Sequence, residues 1–594
     1  MKQPTYVFLI VLIISIVQSC TDTVFENGYI KYESVQLSTD EKMRVEEALS
    51  GLHRKFDAEE NMITKTLSGY NYHTDADSGV FHEVRGSFYY AVLLLDLGDE
   101  QYTERAFDII EKTITLQDQD TTSRSCGVWP YYLEEPLSTK ISPIDYNWAD
   151  FNAVSLLDVW MGHQDRIPSD LKPKIKEALI LAAKSIQKRN MRPGYTNIAI
   201  MGAYVTYMVS NLFDLPEMKE YANGRLKIFY DYTLEKGGFS EYNSPTYTIV
   251  ALDELFRMKS HIIEPTARQQ IDSLYSIGWE IIARHYHKPT GQWAGPHSRS
   301  YSTLVRPTFY SILKEASNGK IDVGIEQKRN DVKIKHQIPP YLMPYFLSPE
   351  YPRTEIDTFE NESPQTIGIS YLTDEYALST ANRSSLWNQR RPFLLYWGQV
   401  QKPKYLQVRF LHDNYDFSSA TYYSDQDRNK ILAGINFISN GGDKHISIDR
   451  LKDGKFMAKD LRLRFEFGNM DEQEKLVLPE SVNDLIIVHL DQLVLNIQLY
   501  SAQFDGLTGR LEKGGDETNS WIDLVFYSGI EKEFDLTKID KAFTGFTFEV
   551  NGVGESHEKS EVKISETEGV LNIDWEGLKL ETPVKPQSPE NTFI

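Results

Sequence analysis

Cysteine is nearly absent: the 594 residues hold two, Cys20 and Cys126. A disulfide framework is thereby excluded, and a chain of this length must be held together by hydrophobic cores. Positive charge is also scarce, with 63 Lys and Arg against 85 Asp and Glu and a net charge of -22. Proteins that bind nucleic acid neutralise phosphates with Lys and Arg, so that class is excluded. The bulk surface repels acidic ligands as well, unless cations gather in one place. Long apolar runs are missing except for Tyr6 to Val17, which follows Lys2. That run is too short to span a bilayer and reads as a secretory signal. No P-loop, GxGxxG after a strand, HExxH or GxSxG occurs, which removes the commonest nucleotide, zinc-protease and serine-hydrolase chemistries.

What is present is globular: 41 % hydrophobic and 25 % charged residues leave no room for a disordered or fibrous chain. Gln18-Ser19-Cys20 closes the apolar run in the manner of a bacterial lipoprotein signal, with Cys20 as the lipidated residue of a 1–20 signal peptide. The expected location is the cell envelope: an outer-membrane lipoprotein facing periplasm or cell surface, touching the membrane through its lipid alone. A plain signal peptide is the alternative, because Gln18 is not the small residue usual there. Cys126 would then be the one remaining thiol. Oligomeric state leaves no signature.

Periodicity divides the chain in two. From about 40 to 320, apolar residues recur at three-and-four spacing, as in Val84 to Leu97, Asn197 to Leu212, Leu226 to Leu234 and Ile271 to Ile282. From 366 to 582 the period is two, as in Tyr405 to Leu411, Leu461 to Phe467 and Phe543 to Val550. The expected fold class is therefore α+β and multidomain, an N-terminal (α/α) helical toroid followed by a C-terminal antiparallel β-sandwich. Residues 321–365 read as a connector and 583–594 as a tail. Polar-aromatic clusters precede helices at Asn147, Asn197, Asn243 and His297, roughly one helical hairpin apart, so a toroid would bring them to one rim. An irregular helical solenoid is the alternative.

The clusters carry the candidate residues. His73 and Arg85 stand near one helix start. Trp129, within GVWPYYLEEP, offers a flat apolar face of the kind sugar rings stack on, and Asn147 and Asp150 follow in DYNWADF. Asn197 enters the very apolar helix of GYTNIAIMG. Glu241, Tyr242 and Tyr247 lie in the Gly-Gly-to-Pro loop of EYNSPTY, and His297, Arg299 and Tyr301 in AGPHSRSY. Trp387, Arg390 and Arg391 open the β half in LWNQRRP. An amide or cation beside a carboxylate, with His and Tyr for proton transfer, suits β-elimination on a uronic acid: the carboxylate is neutralised, the C5 proton removed and the C4 oxygen protonated. His297 with Tyr301 or Tyr247 would move protons, while Asn197 and Arg299 would hold the carboxylate. Arg85, His297, Arg299, Arg390 and Arg391 together would make a basic mouth on an acidic body. The paired His residues of His285-Tyr286-His287 lack partners at recognisable metal spacing, and no metal or cofactor is expected.

These motifs, covering about 70 to 400, give the chain a resemblance to (α/α)-toroid uronate-active enzymes, the heparinase II/III-like and alginate-lyase-like lyases. The string is most similar to the oligosaccharide dehydratases of ulvan-degradation loci. The resemblance implies a Tyr or His base with an Asn neutraliser, matched by type and location at Asn197, His297, Tyr301 and Tyr247. It implies an acidic, ulvan-like oligosaccharide as partner, with loss of water from a terminal glucuronate favoured over chain cleavage. Two alternatives stay open: an inverting exo-β-glucuronidase using Asp150 and Glu241, and a surface glycan-binding lipoprotein without chemistry.

Overall fold

The computed structural model describes residues 23–588, apart from 70–72, 328, 330, 362–364, 443–444, 446, 450, 473 and 555–557. Cys20 lies outside them, as does Tyr72 beside His73. No helix among the described residues is long and apolar enough to cross a membrane.

The helical half is built from hairpins. After α1 (Thr39–His53) come α2 (Val84–Leu97) with α3 (Thr103–Ile114), and α4 (Asn147–His163) with α5 (Leu171–Arg189). Then follow α6 (Thr196–Leu212) with α7 (Pro216–Lys236), and α8 (Tyr247–His261) with α9 (Pro265–His285). The even-numbered helices pack against one another in succession, α2 on α4, α4 on α6 and α6 on α8, while their partners lie outside. Composition explains the layering. Helix α6 is buried from Thr196 to Asn211, whereas α7 buries one stripe and keeps charged residues on its outer face. Helix α7 also begins ten residues before the Leu226 start expected from periodicity. Pro216 sits in its first turn, where a missing amide hydrogen costs nothing.

The ring is completed by the chain after α10 (Pro307–Ala316), a stretch expected to be mere connector. Residues 329 and 331–336 form a strap fastened to the inner helices by ion pairs. Lys333 reaches Asp96 of α2 at 3.0 Å and Asp158 of α4 at 3.5 Å. Arg257 of α8 binds Asp331 at 2.8 Å, and Asp253 of α8 takes Arg329 at 2.7 Å and His336 at 2.8 Å.

The β half is a sandwich. A 9-stranded antiparallel sheet faces a 7-stranded one, and Leu395, Leu406 and Phe465 of the first interleave with Ile435, Phe437, Phe546 and Phe548 of the second. Its first strand, Arg353–Glu360, falls inside the stretch assigned to the connector, and a 3-stranded sheet ends at Pro583. Val584 is buried and Gln587 pairs with the chain at Ser439, so these residues of the expected tail are pinned.

Candidate active site

Helices α2, α4, α6 and α8 all start at the same end of the ring, and a cavity of about 590 Å³ opens there between them. Arg85, Phe151, Asn197 and Tyr247 line its mouth. Of the clusters expected to converge at Asn147, Asn197, Asn243 and His297, Asn197 itself lines this cavity.

The segment around Arg299 closes over the mouth from the β side. It is clamped between two others. Asn243 donates through Nδ2 to the carbonyls of Ala294 and Pro296 at 2.8 and 2.9 Å, and Ser244 Oγ donates to the Arg299 carbonyl at 2.6 Å. On the other side the amides of His297 and Ser300 donate to the carbonyls of Arg391 and Gln389. Asn243 has φ 42°, a conformation Asn tolerates better than most residues.

That clamp aims two side chains at α8. The Arg299 guanidinium lies 4.4 Å from the Tyr247 ring centre and 5.4 Å from that of Trp387. Its Nη1 donates to Glu241 Oε1 at 2.9 Å, and its Nε and Nη2 donate to Gln389 Oε1 at 3.1 and 2.8 Å. Tyr301, half exposed, shares a 2.6 Å hydrogen bond with the Tyr247 hydroxyl. Burial raises the Tyr247 phenol well above its ordinary value, outweighing the pull of Arg299, so this hydroxyl keeps its proton.

Glu241 is the group placed to titrate. Burial pushes its carboxyl up to about 7, against the opposing pull of Arg299 and a backbone hydrogen bond at Asn197. Its Oε2 is buried without a partner, as is Asn197 Oδ1. Arg85 stacks on Phe151 at 3.9 Å and lies 5.8 Å from the Trp148 ring centre; among the described residues it forms no ion pair. A guanidinium exposed within a cleft and an amide beside it can take up a carboxylate.

Other expected residues are placed elsewhere. Trp129 belongs to the core: it is 1 % exposed, its Nε1 donates to the Thr113 carbonyl, and it packs edge-on against Phe88. Its neighbour Tyr131 stacks on Trp148 at 3.8 Å, with His73 beyond Tyr131 at 5.5 Å, and none of the three lines the cavity. Trp129→Ala should therefore destabilise the fold by about 3–5 kcal/mol, read by urea unfolding, with turnover of the folded fraction unchanged.

Asp150 is sealed inside the helix layer, against Gly202 of α6 and 3.4 Å from Arg189, with burial pushing it up to about 7. Asn147 bridges Arg189 and the Tyr195 hydroxyl. Asp150 does not line the cleft.

His297 is buried within the clamp. Its Nδ1 donates to the Asn243 carbonyl at 2.7 Å and burial lowers its pKa to about 3, so it stays neutral and pins the clamp. Tyr242 stacks on Phe359 at 3.8 Å, at the seam between the two halves. The Arg391 guanidinium donates to the carbonyls of Asn388 and Arg390. Of the five residues expected to form a basic mouth, Arg85 lines the cavity and Arg299 packs on Tyr247; His297 is uncharged, Arg391 faces main chain, and Arg390 lies near Tyr242. Tyr195, Gln389, Tyr131 and Trp148 were in the quoted motifs but were not singled out. Among the described residues, no group of three His, Cys, Asp or Glu side chains is placed to hold a metal ion.

The model of one family, a domain of unknown function (DUF8769), matches residues 50–331. No curated protein matches the chain. Solved structures do. Heparinase III is 9 % identical, with 93 % of this chain and 92 % of that one covered and a TM-score of 0.47. A mutant heparan sulfate lyase from Pedobacter heparinus is 10 % identical, with 93 % and 90 % covered and a TM-score of 0.41. The chondroitin AC lyase of Streptomyces coelicolor A3, in complex with chondroitin sulphate, is 9 % identical, with 90 % and 82 % covered and a TM-score of 0.46.

Proposed function

We propose that this chain catalyses β-elimination on a uronic-acid-containing oligosaccharide. The observation that carries the reading is the hydrogen-bonded pair Tyr247–Tyr301 lying beneath the Arg299–Glu241 ion pair, with Arg85 and Asn197 in the same cleft. Arg85 and the Asn197 amide take the uronate carboxylate and stabilise the charge that develops on it as the C5 proton leaves. Glu241, poised near neutrality, accepts that proton. The C5–H electron pair becomes the C4–C5 double bond as the C4–O bond breaks, and the departing oxygen takes the Tyr247 proton. Tyr301, open to water, then returns a proton to Tyr247 and is reprotonated by water, while Glu241 gives up the C5 proton to solvent.

If the C4 oxygen is a free hydroxyl, it leaves as water and the enzyme is a dehydratase. If it bridges to another sugar, the chain is cut. We favour the dehydratase on ulvan-like oligosaccharides, following the motif resemblance, with the protein tethered at the cell envelope through Cys20. Incubation with uronate oligomers should generate the ultraviolet absorbance of an unsaturated uronyl group, and mass spectrometry should show loss of water. No chromophore on any uronate oligomer would sink elimination; cleavage without loss of water would make it a lyase.

A further inference from the structure

The Arg299–Glu241 pair uses less than a guanidinium can offer. Arg presents two nitrogens side by side, as a fork that matches both oxygens of a carboxylate. Here the contact is end-on. Nη1 reaches Glu241 Oε1 at 2.9 Å, while Oε2, although buried, takes none of the guanidinium hydrogens. The Nε–Nη2 edge is turned away, onto the Oε1 of Gln389 at 3.1 and 2.8 Å.

Gln389 is well fixed for that task. Its side chain is 6 % exposed, and its carbonyl accepts from the Ser300 amide at 2.7 Å. Two positions on, Arg391 exchanges main-chain hydrogen bonds with His297 at 3.0 and 2.9 Å. Two positions before, the Trp387 ring centre lies 5.4 Å from the guanidinium carbon. The β half thus determines which edge of Arg299 looks toward Glu241. Among the described residues, the other groups set against Glu241 are neutral: the main-chain amide of Asn197, and the phenols of Tyr195 and Tyr247, which burial keeps protonated. Glutamine accepts a hydrogen bond without adding charge, so Arg299 is the charge that acts on Glu241. A second bond from it would favour the ionised carboxylate alone and pull its pKa down. A carboxylate clasped in that way is a weaker base.

We infer that Gln389 is a positioning residue: it holds the Nε–Nη2 edge of Arg299 away from Glu241, so that the pair meets by one hydrogen bond instead of two. This deepens the elimination reading, on which its catalytic consequence rests, but the geometry can be tested without substrate.

Two variants push Glu241 in opposite directions. Gln389→Leu removes the acceptor and frees the fork to close on Glu241, and the midpoint of Glu241 titration should fall by about 1–3 pH units. Gln389→Glu differs by one atom, takes the same edge as a carboxylate and adds a negative charge, and the midpoint should rise. It carries the test alone if Gln389→Leu fails to fold. The readout is the infrared carbonyl stretch of the protonated carboxyl against pH, each protein being compared with the same protein carrying Glu241→Gln. A midpoint unmoved in a folded variant, or moved the same way in both, would overturn the positioning role, since a merely structural residue gives no such opposed pair. The rising limb of kcat/KM should follow the infrared midpoint. If the midpoints move as expected while that limb stays in place, Gln389 keeps its role and Glu241 loses that of the base.

Discussion

Replacing Tyr247 with phenylalanine is expected to lower turnover by about 10²–10⁴-fold, the usual contribution of a positioned proton donor. The fold should barely notice. The ring remains beneath Arg299, so the cation–π contact survives, and the lost partner is the half-exposed Tyr301 hydroxyl, which water can satisfy. Tyr301→Phe should cost less, because water can replace a relay that already meets solvent. The comparison is made on kcat with thermal melting as control. Equal, small losses for both variants would remove the tyrosines from proton transfer and leave them as a binding surface.

Glu241→Gln is the second large effect. If Glu241 accepts the C5 proton, kcat/KM for the parent enzyme rises with pH up to about 7 and levels off above it, because only the ionised carboxylate is a base. The variant should lose most activity and also that rising limb. Stability should shift in the opposite sense. The native pKa lies above the unfolded one, so the proton on Glu241 favours the folded state fully below about 4.5, and that contribution is lost as pH rises through about 7. Over that window the parent should lose on the order of 3 kcal/mol from this group, and Glu241→Gln should not. Urea unfolding at pH 5 and pH 8 measures it. A variant that keeps the rising limb would point to another base.

Much of this molecule was legible in its sequence. Helical periodicity marked the inner helices, because a helix buried all round, such as α6, cannot hide its composition. Period two marked the sandwich for the same reason. The loops bearing Asn197, Glu241, Tyr247, Arg299 and Tyr301 were legible as mixtures of amide, carboxylate and phenol that packing alone rarely demands. Which aromatic of a Pro-rich run enters the core was not legible. Trp129 and Tyr131 stand two positions apart in irregular chain, where no period tells inside from outside. Nor was the neutrality of His297, which comes from its complete burial in the folded chain. Asp253, Glu254 and Arg257 did leave a trace, charged groups in the middle of α8, but the partners of Asp253 and Arg257 lie in a polar stretch that reads as linker.

The strap sets the order in which the protein can be made. Asp96 is synthesised more than two hundred residues before the Lys333 that neutralises it. Until residue 336 has emerged, Asp253 lacks both its ion-pair partners, Asp96 has only His163 and Arg257 only Glu254, and the interior of the ring holds charges that water must serve. A nascent toroid would therefore stay open and wet through the synthesis of all four hairpins, and would close only when the chain leading into the sandwich arrives. The cooperative unit ends beyond residue 336, so a fragment cut at residue 320, where the helical period stops, would lack the piece that shuts its own floor.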